Sequence, residues 1–340
     1  MAKILVTGGT GYIGSHTVVE LIKKKHEVVI ADNLINSSED VLDGIEVISG
    51  TRPTFVEVDL ADSAATIDLF NNHKNIDAVI HFAALKAVGE SVNQPLRYYR
   101  NNLFSLLNVI DGMNDHDIKH IIFSSSCTVY GLPDALPVTE STPVKPANSP
   151  YGNTKQVAEE ILSETCSVNN NINCISLRYF NPVGAHESAL IGELPLGVPN
   201  NLLPFITQTA AGLRSELSVF GDDYDTPDGT CIRDYIHVVD LAQAHIAALI
   251  RLLDHKNDSN YEVFNVGTGK GYSVMEVIQS FEKVSGLDLS YKKVARRTGD
   301  ITAIYADTNF AEKQLGWKAT QGLDEMTSSA WKWELSRNKA

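Results

Sequence analysis

Cysteine is scarce: four residues in 340, Cys127, Cys166, Cys174 and Cys231, with no C-x-x-C pair among them. Such spacing supports neither a disulfide framework nor a metal site, so free thiols in a reducing, cytoplasmic setting are expected and no metal is. Positive charge is also in short supply, 28 Lys and Arg against 42 Asp and Glu, for a net charge of −14. A surface this acidic repels polyanions, which argues against nucleic acid or an anionic membrane as partner. Long apolar runs are missing too. The longest helical apolar segment, Val238 to Leu253, is broken by Asp240, His245 and Arg251, which a membrane span does not tolerate. The first residues turn glycine-rich after a handful of apolar positions, too early for a signal peptide. No internal repeat or low-complexity tract occurs. What remains, 43% hydrophobic residues, is enough to bury a substantial core.

The first half alternates short β-branched runs with helical patterns, the pattern of βαβ units. Strands are predicted at Lys3–Thr7, Glu27–Ala31, Thr54–Val58, Ala78–Phe82, His120–Ser125 and Asn173–Leu177. Helices are predicted near Ile13–Lys24, Ala64–Asn72, Pro95–Asn114 and Tyr151–Asn169. Together they point to an α/β, doubly wound parallel sheet of Rossmann type. Asn181 to Pro204, rich in Gly, Pro and Asn, reads as loops; Asp234–Leu253 reads as helix and Tyr261–Val266 as a buried strand. The expected division is therefore interleaved: 1–180 with about 232–266 forming the nucleotide domain, and 181–231 with about 267–340 a second, smaller α/β substrate domain.

Residues 8–14 read Gly-Gly-Thr-Gly-Tyr-Ile-Gly, between the first strand and the first helix. Glycines there permit the tight turn, the approach of backbone N–H groups to a pyrophosphate, and close packing of helix on strand. The helix N-terminus adds partial positive charge. Asp32 follows 18 residues after Gly14, at the end of the second strand. A carboxylate in that place accepts both ribose hydroxyls of adenosine and repels a 2′-phosphate, which favours NAD over NADP. Asp59, in Val-Asp-Leu after the third strand, suits either the adenine amino group or a plain strand-end cap.

Tyr151-Gly-Asn-Thr-Lys155 opens a helix and places a phenol and an ammonium on one face. It lies downstream of Ser124-Ser125-Ser126, which ends a strand and so points at the ligand edge of such a sheet. Removing a hydride from a carbinol requires a base for its hydroxyl proton. A free phenol ionises near pH ~10, and bringing it to ~7 requires about 4 kcal/mol. One cation at ~6 Å contributes on the order of 3 kcal/mol at an effective dielectric of ~20. Lys155 and an oxidised nicotinamide ring together are expected to lower the phenol, with Ser126 relaying the proton or else merely satisfying backbone.

Further stretches complete a pattern: His81-Phe82-Ala83-Ala84-Leu85-Lys86, Tyr98-Tyr99-Arg100-Asn101-Asn102, and Ser124 to Gly131. Then come Leu177-Arg178-Tyr179-Phe180-Asn181-Pro182-Val183-Gly184, Pro199-Asn200-Asn201-Leu202, Arg233-Asp234-Tyr235-Ile236-His237 and Arg296-Arg297-Thr298-Gly299-Asp300. From residue 3 to about 330 the chain resembles the UDP-galactose 4-epimerase family of extended short-chain dehydrogenases/reductases. The resemblance implies NAD as cofactor, UDP-glucose and UDP-galactose as substrates, and a homodimer paired through helices 95–114 and 151–169. By position it implies that Gly8, Gly11, Tyr12, Ile13, Gly14, Asp32, Asn33, Leu34, Ile35, Asn36, Ser37, Asp59 and Leu60 line the phosphates and adenosine. Phe82, Ala83, Ala84, Leu85, Lys86, Asn101 and Ser124 would lead to the nicotinamide end, where Tyr151, Lys155 and Phe180 lie. Substrate would meet Lys86, Ser126, Tyr151, Asn181, Asn201, Leu202, the strand Leu217, Ser218, Val219, Phe220, then Arg233, Tyr235, Arg297 and Asp300. Two arginines suit a diphosphate, since guanidinium pairs with phosphate oxygens, although either alone would read as a surface arginine. The implied chemistry is transient oxidation at C4 and return of the hydride to the opposite face of a 4-keto sugar.

Three positions depart from the family pattern. Ala84 stands for Gly and Asn153 for Lys, both of little consequence. Ile304 stands where side-chain size decides whether an N-acetyl group fits, so UDP-N-acetylhexosamines remain an open substrate class. Related 4,6-dehydratases carry Asp-Glu where this chain has Cys127-Thr128. Other nucleotide-sugar enzymes of the same fold, a 4-reductase or decarboxylase, and a non-catalytic NAD-sensing regulator are the alternatives.

Overall fold

In the computed structural model, residues 1–168, 171–297 and 299–337 are described. The first half runs β1 (Lys3–Thr7), α1 (Tyr12–Lys23), β2 (Glu27–Asp32), α2 (Val41–Ser49), β3 (Thr54–Glu57), α3 (Ser63–Asn72) and β4 (Ala78–His81). It continues with α4 (Val88–Asn93), α5 (Pro95–Asp115), β5 (His120–Ser126), α6 (Pro150–Val168) and β6 (Asn173–Tyr179). The second half holds β7 (Asn181–Val183), α7 (Leu202–Ala210), β8 (Leu217–Phe220), β9 (Ile232–His237), α8 (Val238–Leu253) and β10 (Tyr261–Val266). Last come β11 (Gly271–Ser273), α9 (Val274–Ser285), β12 (Tyr291–Val294), β13 (Ala303–Ile304), α10 (Asn309–Leu315) and α11 (Leu323–Arg337).

Seven strands form one sheet in the order β10-β6-β5-β4-β1-β2-β3, every neighbouring pair parallel. Side chains alternate faces along each strand, and both faces are covered. Ile4, Val6, Val28 and Ile30 enter a core with α1 and α8 residues such as Val18 and Leu241. Leu5, Val29 and Ala31 enter the opposite core with Phe70 of α3, Leu106 of α5 and Leu162 of α6. The sheet is doubly wound, as the sequence predicts. One-residue slips in register would send each set to the wrong core, which is why the pairing is unambiguous. Helix boundaries have local causes: Asp62 accepts from the Ala65 amide to cap α3, Pro95 opens α5, and Ser273 with Glu276 forms a capping box on α9.

The remaining strands build a four-stranded sheet, in which β9 pairs β7, β11 and β13, and a two-stranded sheet of β8 and β12. Leu203, Ile206, Val219, Val277, Phe281 and Met326 pack there into a core of their own with α7, α9 and α11. Two expectations change. Residues 234–237, read as helix, form most of β9, because the Asp234 carboxylate accepts from the amides of Thr268, Gly269 and Ala306. The loop reading of 181–204 omits β7 and the start of α7. The expected helix end at Asn169 lies outside the described residues. No helix among the described residues is long and apolar enough to cross a membrane, and all four cysteines are free and buried.

Buried imidazoles give the fold an acid limit. Burial holds His16 and His81 down to about 3 and His245 to about 4. Below pH 6.5 the unfolded chain binds protons that these folded imidazoles refuse, so stability present at neutral pH is lost as pH falls from 6.5 towards the folded values. Each contributes ~1.4 kcal/mol per pH unit in that window. The melting temperature is expected to fall steadily from about pH 7 to about pH 5, and His245→Gln to flatten the slope. An unchanged slope in that variant would contradict this account.

Candidate functional site

The site lies along the C-terminal edge of the parallel strands, where the loops after β1, β2, β4, β5 and β6 converge. At its centre the Gly8 amide donates to the Ala31 carbonyl at 2.8 Å and the Gly11 amide to the Gly8 carbonyl at 3.1 Å. A methyl group at Gly14 would stand 2.2 Å from the Gly8 oxygen, and one at Gly8, whose φ is +69°, 2.8 Å from the Ala83 nitrogen. Only glycine permits this closeness, and α1 begins behind it with no acidic residue in its first turn and no side-chain cap. Its free amide end is therefore available to an anion. Asp32 accepts from the amides of Leu34 at 3.0 Å and Thr10 at 3.2 Å and from Ser37 Oγ at 3.5 Å. These contacts fix the carboxylate at the loop's rim. The cradle and the carboxylate fit the pyrophosphate and ribose of a dinucleotide.

Around the loop, Tyr12 donates its hydroxyl to the Gly184 carbonyl at 2.6 Å, and Lys86 lies over its ring. Ile13 packs against the core; Asn33 and Leu34 are half-buried, while Ile35 and Asn36 are exposed. Asp59 lies two residues past the end of β3, is exposed, and accepts from the Ala61 amide at 3.0 Å through one carboxylate oxygen. Leu60 is buried in the core. Phe82 packs on His245, and the Ala83 amide donates to Thr7 Oγ1 at 3.3 Å. The half-buried Ala84 leads on to Leu85, whose amide and carbonyl are both held by the Asn102 side chain, at 2.8 and 3.0 Å. Asn102 also reaches Thr154 Oγ1 on α6, whereas the predicted Asn101 bonds only to Asn102 in the described contacts.

Tyr151, Lys155 and Ser126 are brought together, at 8%, 4% and 6% exposure. The Ser126 hydroxyl neighbours the Tyr151 phenol and accepts from the Thr128 amide at 3.2 Å. Lys155 Nζ donates to the Ser124 carbonyl at 2.6 Å and lies over the Phe123 ring. Ser124 Oγ contacts the Tyr179 hydroxyl at 2.6 Å. In the chain alone the phenol is not lowered, in keeping with the expectation that Lys155 needs the oxidised nicotinamide beside it. Burial pushes it well above its ordinary value, Tyr179 adds to the rise, and the neighbouring Ser126 hydroxyl opposes it. Burial likewise pulls Lys155 down to about 8, against the upward pull of Glu159.

On the facing side Phe180 packs with Cys127 and the buried Ile304, and Asn181 opens β7 half-buried. Asn153 donates to the Tyr99 hydroxyl at 2.5 Å, away from the pair. Asn201 Nδ2 donates to Glu193 Oε1 at 2.6 Å, and Glu193 also pairs with Lys86 at 3.5 Å; Leu202 begins α7. In β8 the side chains of Leu217 and Val219 are core, 3% and 1% exposed, so a ligand could meet only their backbone; Ser218 and Phe220 alternate outward. Tyr235 follows Arg233 on the same strand face and packs, 4% exposed, against the core formed with α7, α9 and α11. Arg233 donates to the Ile301 carbonyl at 2.6 Å and stands 4.0 Å from Asp300, which Arg297 contacts at 2.8 Å while lying over Phe220. Asn102, Glu159 and Glu193 escaped the sequence reading; only the doublet at 101–102 and the place one turn after Lys155 hinted at two of them.

The model of the NAD dependent epimerase/dehydratase family matches residues 4–267. The chain belongs to that family. A UDP-glucose 4-epimerase of Haemophilus influenzae is 50% identical over 336 residues, 99% of this chain and 98% of that protein. Among solved structures, the UDP-glucose-4-epimerase of Stenotrophomonas maltophila, with bound NAD and formylated UDP-arabinopyranose, superposes with TM-score 0.96 at 47% identity over 100% of this chain and 99% of that one. That of Bifidobacterium longum, in complex with NAD+ and UDP, gives 0.94 at 48% over 99% of each. The family match runs from the second residue of β1 to just past β10 and so spans the parallel sheet.

Because the backbone meets itself at Gly14, Gly14→Ala is expected to cost roughly 1–3 kcal/mol or more and to abolish retention of dinucleotide. Chemical denaturation and the absorbance of released cofactor check both. Wild-type stability with full retention would refute the cradle.

Proposed function

We propose that the chain interconverts UDP-glucose and UDP-galactose by inversion at C4, with NAD as resident cofactor. The carrying observation is the burial of Tyr151, Ser126 and Lys155 together at the ligand edge of the sheet. The Haemophilus influenzae relative, which bears the name UDP-glucose 4-epimerase at 50% identity along nearly the whole chain, supports the same reading. Gly8, Gly11, Tyr12, Ile13 and Gly14 hold the pyrophosphate, Asp32 the adenosine ribose, and Phe82 to Lys86 the path towards the nicotinamide. When bound, NAD supplies the acceptor and the donor of the C4 hydride.

The chain's own residues manage the proton and the orientation. Tyr151 takes the C4 hydroxyl proton and later returns it, Ser126 relaying it at the phenol oxygen. Burial keeps the phenol neutral in the chain alone, so cationic surroundings must form before it can act as a base. Lys155, fixed by the Ser124 carbonyl, is one such charge. Arg233 and Arg297 grip the diphosphate, with Asp300 orienting both guanidinium groups. Affinity resides in the UDP portion, leaving the hexose free to turn. Elimination is disfavoured: where dehydratases place an acid pair, Cys127 has its thiol pushed up to about 12 by burial, too weak an acid to expel water near neutrality.

We divide the labour between residues 1–180 with about 232–266, holding the dinucleotide, and 181–231 with about 267–340, holding the UDP-sugar; residues 338–340 lie outside the described residues. Four buried free thiols suit the cytoplasm. A homodimer through α5 and α6 is supported by Leu96, Phe104 and Leu107, exposed at 65%, 50% and 40% along one face of α5.

Protein purified without added NAD should convert UDP-galactose to UDP-glucose and sediment at twice the chain mass. Tyr151→Phe should lower kcat by roughly 10²–10⁴-fold with UDP affinity kept. Near-normal turnover in that variant would remove Tyr151 from the mechanism.

A further inference from the structure

Glu159 lies one helical turn beyond Lys155 on α6 and is 7% exposed. Its carboxylate accepts from Ser125 Oγ at 2.5 Å, from Arg178 Nε at 3.0 and 3.2 Å, and from Arg178 Nη2 at 2.6 Å. Arg178 in turn donates to the Tyr130 hydroxyl at 3.1 Å and lies over the Tyr130 ring. That hydroxyl donates to Asn265 Oδ1 at 2.6 Å, and Asn265 Nδ2 to the Val138 carbonyl at 3.0 Å. One connected polar network thus joins α6 to β5, β6 and β10 behind the reacting groups. A buried ion pair is a poor device for stability alone, since desolvation offsets most of its attraction. Its position calls for another role.

Lys155 needs a counter-charge. Burial favours its neutral form, pulling it down to about 8, and Glu159 is the anion that opposes this among the described residues. On its own helix it neighbours Tyr151, held neutral by burial. From β4 it faces His81, also neutral, since burial and Lys155 hold that imidazole down to about 3. From β5 it meets the Ser124 carbonyl, whose residue contacts the neutral Tyr179 hydroxyl of β6, and the uncharged Phe123 ring. Arg178 grips the carboxylate through Nε and Nη2 and holds it one helical turn from Lys155.

We propose that Glu159 is a positioning residue of the reaction: gripped by Arg178 and Ser125, its carboxylate holds Lys155 as an ammonium at the depth where the Tyr151 phenol must ionise. The proposal rests on the reading of Tyr151 and Lys155 given above. It adds that the reaction depends on a residue touching neither cofactor nor substrate.

The test follows the Lys155 proton directly, by NMR of holoenzyme carrying 13Cε-labelled lysine, the signal assigned with Lys155→Met. Glu159→Gln/Arg178→Met removes both charges together and leaves none unpaired; Glu159→Gln alone, which keeps an oxygen for Arg178, is the second variant. In either, Lys155 is expected to lose its proton about one pH unit earlier, a tenfold weaker hold. The alkaline fall of kcat should move with it while UDP affinity stays unchanged, and Glu159→Asp should restore both midpoints towards the wild type. A folded variant in which Lys155 titrates as in the wild type overturns the proposal, even if kcat is reduced. Failure of the wild type to convert UDP-galactose would instead sink the functional reading, and the lysine titration would still decide the role of Glu159.

Discussion

Desolvation of a phenol and an ammonium in one dry niche is the constraint on which this site depends. Water would stabilise phenolate and ammonium alike; burial penalises both, so Tyr151 is pushed up and Lys155 down. Burial therefore works against both charges at once. A base can operate there only if compensating charges are built in or brought in. We assign the built-in charge to Glu159, one helical turn from the ammonium, and the charge brought in to the oxidised NAD that the site would hold. The same dryness then works in favour of the chemistry, because each charge contact is worth more where water is excluded.

The rest of the architecture delivers those groups to one edge. Parallel strands end together, so the glycine loop after β1, the carboxylate ending β2, the serines ending β5 and the phenol in the first turn of α6 face one crevice. Neighbours tie this edge to the body of the protein: Asn102 locks the backbone at Leu85 to α6, and Tyr12 reaches across to Gly184. A chain with a net charge of −14 must still admit a dinucleotide and a nucleoside diphosphate sugar. Local donors, the amide end of α1 and the guanidinium groups of Arg233 and Arg297, oppose that overall field.

Much of this was legible from the order of residues. The strand before the glycine loop and the serine run were readable because their local patterns are strong and their consequences local. β1 and β10 have the predicted bounds, and α1 differs by a single residue at each end. Legibility ended where distant groups decide. Residues 234–237 look helical but are drawn into a strand by amides more than thirty residues away. Tyr235 shares a motif with Arg233, and the core it packs against is assembled from α7, α9 and α11. The size of the burial effect on the phenol, which no motif displays, was not legible: desolvation raises Tyr151 in the chain alone. Glu159 was invisible for the same reason: its meaning depends on Arg178, 19 residues away and across a strand boundary.

The most direct measurement is the ionisation of the Tyr151 phenol itself, followed by NMR of 13Cζ-labelled tyrosine in the chain stripped of dinucleotide and again after reloading with NAD. The account predicts no ionisation up to the alkaline limit of folding in the stripped chain, and ionisation at a distinctly lower pH after loading. A phenol that ionises near neutrality without the cofactor, or that stays neutral with it while the sugar is still inverted, would contradict the account.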